Sequence, residues 1–384
     1  LARTFTGDRL QGSVSRLESF AACPFQYFAR YGLGLREREY YRVDAPLIGD
    51  YYHRALEKLV NKMEEKGAHW SDLSEEELTE LTREISGELA YEMEHGILLS
   101  SSGYRHRLKI MEQNLATAVK VLTEHARLRT FRPAGVELAF GLEEGVPPLE
   151  IPLSDGRSLS LRGKIDRIDV AEVAGKTYLR VIDYKSSSRS LDLEDCYYGL
   201  SLQLPVYLDV ALENYRYFTG DSPEGAGMFY FPVKSPFIRA DNPLQAEEAE
   251  KELLKALRLQ GWMLAKPELA KAMGADKGLV NIRLTTKGEF YKGSKVLSGE
   301  EMALLRHFGR EKLKQLALKI YQGETAIAPY RFKKQTPCGY CDYRPCCQFD
   351  SLVEGNKYRD LVRLDREELW RRMKEETGGG NSDE

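Results

Sequence analysis

The chain has 384 residues, of which 42% are hydrophobic and 30% are charged, the balance of a folded, water-soluble protein. No apolar run approaches the roughly 20 residues that a membrane-spanning helix needs, which excludes an integral membrane protein. The net charge of −3 excludes a uniformly basic nucleic-acid coat protein, but it leaves room for a local basic groove.

The two ends of the sequence give a first indication of compartment and extent. The chain begins at Leu1 without the charged, then apolar leader of a secreted protein, and it finishes in GGGNSDE. We therefore expect a cytoplasmic protein, cut from a longer or processed chain, with a disordered tail. In a reducing compartment, clustered cysteines are more often metal ligands than disulfides.

The first third of the chain is predicted to be helical. Residues 13–31 open with Ser15 and Glu18 at the spacing of a capping box, and apolar residues at helical spacing follow. The segment GDYYHRALEKLVNKMEEKG (49–67) predicts a second helix with one apolar stripe. The stripe consists of Tyr52, Leu56, Leu59 and Val60. Residues 74–129 look helical almost throughout, with a break near GILLSSSG, and are interpreted as a helical insertion.

The pattern then changes to that of strands. Alternating or β-branched runs predict strands at 136–140, within 151–185 and at 228–233. Further helices are expected at about 193–214, 244–273, 299–322 and 366–375. This succession of helices and strands predicts an α/β or α+β core.

Two acidic residues and a lysine are predicted to meet at the end of adjoining strands. Asp183 and Lys185 in VIDYKSSS are two residues apart and share one face of a strand. Asp166 in GKIDRID lies on the preceding strand, across a turn near Gly175, and an antiparallel pair can bring it beside Asp183. Such a set suits phosphodiester hydrolysis assisted by Mg²⁺ or Mn²⁺. The alternative is a surface salt bridge at the end of a hairpin.

Four further residues could extend this site. His53, one helical turn after Gly49, could supply an imidazole ligand where Gly49 lets another backbone approach, or it could be a core histidine. Glu137 alternates with Val136 and Leu138, so it should face away from them, towards a possible site. Gln203 and Tyr207 are an i, i+4 pair that could touch a nucleic-acid strand or pack against another helix.

Taken in order, these segments resemble the RecB-like branch of the PD-(D/E)xK nuclease superfamily. The matching motifs are GDYYH (49–53), VELAF (136–140), GKIDRID (163–169), VIDYKSS (181–187) and QLPVY (203–207). The resemblance covers residues 12–350 and implies a restriction-endonuclease-like α/β core, with a mixed central sheet flanked by helices. It implies His53, Asp166 and Asp183 as metal ligands, Lys185 and the two aspartates as catalytic, and Gln203 with Tyr207 at the DNA. Glu137 is a further catalytic candidate.

The cysteines extend the resemblance. Cys338, Cys341, Cys346 and Cys347 lie within ten positions, and Cys23 lies far upstream. One cysteine before the core and three after it resemble the iron–sulfur staple of some RecB-like nucleases, which implies Cys23, Cys338, Cys341 and Cys347 as ligands of a [4Fe–4S] cluster. A Cys₄ zinc site is the alternative. Cys346 competes with Cys347 as the last ligand, and Cys196 is expected to be a packed free thiol.

The segment SVSRLESFAACPFQYFARYGLGLRER (13–38) looks especially like the start of the nuclease domain in B subunits of AddAB-type helicase–nucleases. This likeness implies one nuclease domain over 1–384. Its parts are N-terminal helices with the first cluster cysteine (12–60), the helical insertion (61–130), the nuclease core (131–235), a helical region (236–335), a cluster-binding loop (336–350), and a C-terminal helix with a disordered tail (351–384).

The implied function is that of a metal-dependent DNA exonuclease domain that trims double-strand DNA ends for recombinational repair. An AddA-like helicase–nuclease subunit would be its heterodimer partner. Two alternatives remain open: a stand-alone single-strand exonuclease of the type that acts in CRISPR adaptation, and a catalytically inactive scaffold that binds DNA ends.

Overall fold

The computed structural model describes residues 9–378, except 39, 68–69, 144, 188 and 235–244. Apart from Gly378, which is the last residue of a helix, the predicted disordered tail GGGNSDE (378–384) lies outside the described residues. None of the described helices is both long enough and apolar enough to cross a membrane.

A six-stranded mixed sheet forms the centre of the molecule, with strand order β2-β5-β6-β7-β8-β9. Its strands are β2 (Arg132–Phe140), β5 (Gly163–Val173), β6 (Lys176–Lys185), β7 (Glu224–Pro232), β8 (Gln260–Leu264) and β9 (Val296–Leu297). The neighbours β2–β5, β5–β6 and β7–β8 are antiparallel, whereas β6–β7 and β8–β9 are parallel. The predicted mixed central sheet of an α/β protein is therefore confirmed.

Helices cover this sheet. They are α1 (Val14–Ala22), α2 (Pro24–Tyr27), α3 (Ala45–Glu65), α4 (Glu75–Glu92), α5 (Ser102–Arg127), α6 (Leu193–Tyr197), α7 (Gln203–Glu213), α8 (Ala246–Ala256), α9 (Pro267–Ala272), α10 (Gly299–Tyr321), α11 (Arg344–Cys347) and α12 (Arg366–Gly378). A π-helical turn (Phe28–Gly32) follows α2, and 3₁₀ turns lie at Trp70–Asp72, Met93–Leu99, Tyr215–Tyr217 and Pro337–Tyr340. The predicted apolar stripe of α3 is buried as expected.

Two small sheets complete the fold. β1 (Arg9–Gly12), β4 (Ser158–Leu161) and β3 (Leu149–Pro152) form a three-stranded sheet. β10 (Tyr330–Arg331) pairs in parallel with β11 (Arg359–Asp360). Because β1 pairs with β4, the N-terminal segment is attached beside the start of β5, the strand that carries Asp166.

The predicted helical segment 74–129 is confirmed as α4 and α5, and its break falls in the 3₁₀ turn between them. Three consecutive residues in that turn, Glu94, His95 and Gly96, have left-handed backbone angles. Non-glycine residues adopt this conformation rarely, and it ends a helix sharply. The insertion therefore folds back as an antiparallel helical pair.

The predicted helical region 236–335 is partly wrong, because it also supplies strands β8 and β9 to the central sheet. In β8, buried and half-buried residues alternate over most of the strand, which is the signature of a strand with one covered face. Gly261 makes this pairing possible: a Cβ atom there would lie 2.0 Å from the backbone oxygen of Met228 on β7. The predicted helix at 193–214 is likewise two helices, and the second begins only at Gln203, close to Pro205.

Candidate functional site

His53, Glu137 and Asp166 meet at one edge of the central sheet. Nδ1 of His53, on α3, lies 3.3 Å from Oε1 of Glu137 on β2 and 3.4 Å from Oδ1 of Asp166 on β5. One ligand atom from each of the three residues lies within 4.8 Å of the others, which is close enough for a single metal ion. One imidazole and two carboxylates form a donor set that suits Mg²⁺ or Mn²⁺ better than a soft metal.

The backbone of Tyr184 orients two members of this group. Nε2 of His53 lies 3.1 Å from the carbonyl oxygen of Tyr184, so Nε2–H donates to that oxygen. Nδ1 then points at the two carboxylates, the side from which a metal would reach it. The backbone N–H of Tyr184 donates to Oδ2 of Asp166 at 2.6 Å.

His53 sits in a strongly negative environment. Burial alone would lower the pKa of its imidazole, but hydrogen bonds to Asp166 and Glu137 and their negative charges raise it to about 10. An imidazolium therefore balances the two carboxylates here, and a divalent cation could take the place of its proton.

Asp183 is the most deeply buried member of the predicted site. Its side chain is 1% exposed, and its carboxylate forms an ion pair with the ammonium group of Lys185. Burial and the nearby charge of Asp166 raise the pKa of Asp183 to about 7, against the opposing effect of Lys185. A carboxylate buried this deeply requires a positive partner, which Lys185 supplies here and which a metal ion could also supply.

The sheet register explains how the two aspartates meet. Arg167 pairs with Ile182 in the antiparallel β5–β6 ladder, which puts Asp166 opposite Asp183 at the open end of that ladder. Asp183 and Lys185 share one face, as the two-residue period predicts. The expected juxtaposition of Asp166, Asp183 and Lys185 is present.

Gln203 and Tyr207 form the other side of the site. Nζ of Lys185 lies 3.5 Å from Oε1 of Gln203, and Nε2 of Gln203 donates to the Tyr207 hydroxyl at 3.0 Å. The ring of Tyr207 packs edge-on against Phe140, and burial raises the pKa of its hydroxyl. The amide of Gln203 is thus held in one orientation between a cation and a phenol.

Glu137 does not occupy ordinary strand geometry. Its φ is +45°, in the left-handed region, and Lys164 contacts its carboxylate at 3.5 Å. A non-glycine residue in this region costs about 1–3 kcal/mol, and such strain concentrates where function requires it. The alternation of Glu137 with Val136 and Leu138 predicts that its side chain faces the site. The side chain does face it, from a residue with a left-handed backbone conformation.

Glu18 is a buried residue that supports the site, and sequence spacing predicted a different role for it. The predicted capping box from Ser15 to Glu18 is wrong, because Ser13 caps α1 instead. Oε1 of Glu18 accepts hydrogen bonds from the backbone N–H groups of Leu202, at 2.6 Å, and Gln203, at 3.0 Å. Burial raises the pKa of Glu18 although these bonds oppose it. No local signal in the sequence could reveal a contact with residues this distant.

An open cleft of about 610 Å³ gives access to the group of His53, Glu137 and Asp166. Gly49, Arg54 and Lys164 also line it. The expectation that Gly49 lets another backbone approach is wrong within the described residues: no atom lies within 4 Å of the place where its Cβ would be. Gly49 instead leaves space at the wall of the cleft.

Four of the six cysteines come together elsewhere. Cys23, Cys338, Cys341 and Cys347 line one small cavity together with apolar side chains such as Ile327 and Phe349. Burial, followed by the neighbouring thiols of Cys347, Cys23 and Cys338, raises the pKa of Cys341.

The other two cysteines are separate from this group. Cys346 is exposed and does not line the cavity. Cys196 is buried and donates to the carbonyl oxygen of Ser201 at 2.9 Å, as a packed thiol does.

The sequence of this chain is similar to those of known nucleases. Residues 11–348 match the family model of the PD-(D/E)XK nuclease superfamily. Three similar proteins are each named as the B subunit of an ATP-dependent helicase/deoxyribonuclease. The relative from Moorella thermoacetica is 42% identical over 95% of this chain and 32% of its own length. The relative from Desulfitobacterium hafniense strain DCB-2 is 40% identical over 97% of this chain and 33% of its own length. The relative from Bacillus licheniformis is 37% identical over 98% of this chain and 33% of its own length. The chain therefore spans about a third of the length of these relatives.

Proposed function

Because the chain belongs to the PD-(D/E)XK nuclease superfamily, we propose that it is the DNA-cutting domain of an AddB-type helicase–nuclease subunit. The observation that carries the proposal is the approach of His53, Glu137 and Asp166 to one another beside the buried pair of Asp183 and Lys185. The names of the similar subunits support a deoxyribonuclease.

The donor set fits a divalent metal ion. His53, Glu137 and Asp166 offer atoms close enough to hold one ion, and the buried carboxylate of Asp183 lies opposite Asp166 on the next strand. We assign Glu137 to this ligand set together with His53, Asp166 and Asp183. A bound Mg²⁺ or Mn²⁺ would lower the pKa of a water molecule and neutralise charge on the phosphate.

Lys185 serves as the positive group at the reacting phosphate. Its ammonium group contacts Asp183 and lies near Oε1 of Gln203, so its position is fixed from two sides. A fixed charge in a partly enclosed cleft stabilises negative charge without reorganisation. Gln203 and Tyr207 bind the DNA strand beside it, and their mutual hydrogen bond sets the direction of the amide.

The four clustered thiols are proposed to hold a [4Fe–4S] cluster. Zinc would draw four thiolates to about 2.3 Å from one ion. Four cysteine thiols without a histidine suit a [4Fe–4S] cluster as well as such a zinc site. The support for the cluster is that the three clustered cysteines and the distant Cys23 line one cavity, as the likeness to iron–sulfur-stapled nucleases implies. The cluster would link the segment after α1 to the loop 336–350.

The wider setting follows from the relatives. We propose that the full-length cytoplasmic protein trims DNA strands at double-strand ends for recombinational repair. Its partner would be an AddA-like helicase–nuclease subunit that forms a heterodimer with it. The support for these statements is the activity that the names of the similar proteins give, and this chain covers about a third of those proteins.

The test is cleavage of an end-labelled DNA oligonucleotide with Mg²⁺ or Mn²⁺ by the wild type and by Asp183→Asn. We expect the variant to lose at least about 100-fold in rate, because the buried carboxylate is removed without a change in shape. Asp276→Asn, at an exposed position, is the matched control and should cut like the wild type. Equal cleavage by wild type and Asp183→Asn would contradict the proposal.

A further inference from the structure

A second cavity, of about 520 Å³, lies between β1, the α1–α2 region and the end of α10. Arginines and aromatic rings dominate its lining: Arg9, Arg16, Arg162, Tyr27, Phe28 and Tyr31. None of these residues lines the catalytic cleft among the described residues. The cavity is therefore a separate concave surface with its own chemistry.

The charge of the cavity favours an anion. Glu324 is the one acidic residue among the described lining residues, and Arg9 is already paired with Glu150 outside that lining. Arg162 is exposed and forms no side-chain hydrogen bond or ion pair with any described residue. In Arg16, Nη1 donates to the carbonyl oxygen of Gln11 at 3.2 Å, while the buried Nε has no partner among the described residues. Two guanidinium groups thus keep donors available.

The aromatic wall offers a surface for a flat ring. The guanidinium of Arg16 lies 4.2 Å from the ring centre of Tyr31, and Tyr31 packs at 5.1 Å against Tyr27. Phe28 and Tyr31 are half-buried, and both line the cavity. Both belong to the π-helical turn Phe28–Gly32, and π-helical turns occur frequently at functional sites.

The cavity also lies close to the catalytic cleft. Arg162 precedes Asp166 by four residues, so their Cα atoms are no more than about 14 Å apart. Lys164, midway between them in the sequence, lines the cleft and is 51% exposed. Arg162 at the cavity and Lys164 at the cleft are therefore only two residues apart in the chain.

We propose that this cavity holds one nucleotide of the DNA single strand whose neighbouring phosphodiester enters the catalytic cleft. Its phosphate would contact Arg16 and Arg162, and its base would stack on Tyr31 or Phe28, as bases do on aromatic residues in single-strand-binding proteins. This assignment rests on the proposed nuclease function and adds a second anchoring point for the substrate. It provides a means by which the domain holds a strand rather than a free nucleotide.

The first test measures binding of a fluorescent twelve-residue oligothymidine in EDTA, so that no cutting occurs. Arg162→Glu should weaken binding about tenfold. It should also reduce the slope of log K against log salt by about 0.7, the value for one phosphate contact on a single strand. Arg363→Glu makes the same charge change at an exposed arginine outside both cavities and should bind like the wild type. Equal affinities of these two variants would overturn the proposal.

The second test addresses the base. Tyr31→Leu removes the aromatic face and should weaken binding about tenfold, whereas Tyr31→Phe keeps the face and should bind normally. Matching thermal midpoints would confirm that both variants fold. Displacement of the oligonucleotide by inorganic phosphate or thymidine monophosphate at the affinity of the oligonucleotide itself would contradict a strand site.

Cleavage and binding assays together distinguish a failure of the nuclease proposal from a failure of the cavity assignment. Asp183→Asn should lose cleavage and still bind the oligonucleotide, because it leaves the cavity intact. If the wild type does not cut but Arg162→Glu still weakens binding, the nuclease proposal fails, and only the binding of a strand by the cavity stands. If Asp183→Asn abolishes cleavage while Arg162→Glu binds normally, the cavity assignment fails alone.

Discussion

The carboxylate of Glu18 accepts a hydrogen bond from the backbone N–H of Gln203, 3.0 Å away, and another from the residue before it. Helix α7 has no capping side chain of its own, so a residue 185 positions upstream caps its first turn. The helix that carries Gln203 and Tyr207 is thereby attached to α1, which ends at Ala22, directly before Cys23.

Glu18→Ala should therefore affect both stability and cutting. It leaves the partly buried N–H groups of Leu202 and Gln203 without this acceptor, which costs about 1–3 kcal/mol of unfolding free energy. It should also lower the cleavage rate well below that of Glu18→Gln, which keeps an acceptor oxygen. Denaturant unfolding and single-turnover cleavage would measure the two effects. A cleavage rate in Glu18→Ala equal to that in Glu18→Gln would reduce Glu18 to a purely structural role.

Glu137→Gln tests the assignment of Glu137 to the metal site. Loss of one charged donor from the group with His53 and Asp166 should weaken Mn²⁺ binding by roughly 10- to 100-fold, the range found when a metal site loses a supporting group. Glu57→Gln is the matched control, because Glu57 lines the same cleft outside the three-residue group. Calorimetric titration of the protein with Mn²⁺ measures both. Unchanged affinity in Glu137→Gln would remove Glu137 from the ligand set.

Cys346 and Cys347 form a matched pair at adjacent positions. Cys347→Ala removes a thiol that lines the cavity with Cys23, and it should abolish iron content and visible absorption and lower the thermal midpoint. Cys346→Ala changes an exposed thiol outside the cavity and should leave all three unchanged. Iron and zinc analysis of both variants provides the measurement. A wild type that carries one zinc and no iron would reject the cluster in favour of the Cys₄ zinc site.

Asp195 is expected to make the unfolding free energy of the protein depend on pH. Burial and the charge of Asp192 raise the pKa of Asp195 from 3.8 to about 6, although Lys333 opposes them. The stability that this group contributes is complete below its ordinary pKa and is lost as the pH rises through about 6. Asp195→Asn should therefore gain stability relative to the wild type between about pH 4 and pH 8. The gain should be about 1 kcal/mol, because Asp195 is only partly buried and solvent screens its charge.

Denaturant unfolding at about pH 4 and pH 8, on either side of that transition, measures this difference. Asp276→Asn, at an exposed aspartate, should show no such trend. A wild type whose stability relative to Asp195→Asn does not change over this range would show that Asp195 titrates normally in the folded protein.

Local patterns were sufficient for most of the site. The two-residue period placed Asp183 and Lys185 on one face, the hairpin turn at Gly175 placed Asp166 opposite, and the helical stripe buried α3 in the orientation that presents His53. Each of these relations joins residues that are near in sequence or on directly paired strands. The periods of strands and helices and the residue types at turns are therefore sufficient to predict these relations.

Contacts between segments that are distant in sequence cannot be predicted from such local patterns. Ser15 and Glu18 have capping-box spacing, but Glu18 has a better partner in the first turn of α7, which only tertiary packing supplies. Strand β8 is not predicted by the sequence, because its five residues lie between two helices. Its pairing depends on the close approach of the Met228 backbone to Gly261. The left-handed backbone of Glu137 is likewise set by its surroundings rather than by its residue type.

The two contacts from Tyr184 to His53 and Asp166 use its carbonyl oxygen and its amide hydrogen. A substitution of the Tyr184 side chain leaves both atoms in place as long as the strand persists. The alignment of these two groups is thus encoded by the path of the backbone and not by the side chain. A substitution at Tyr184 would act through the packing of its buried ring against Phe231 and His53, and would leave both polar contacts in place.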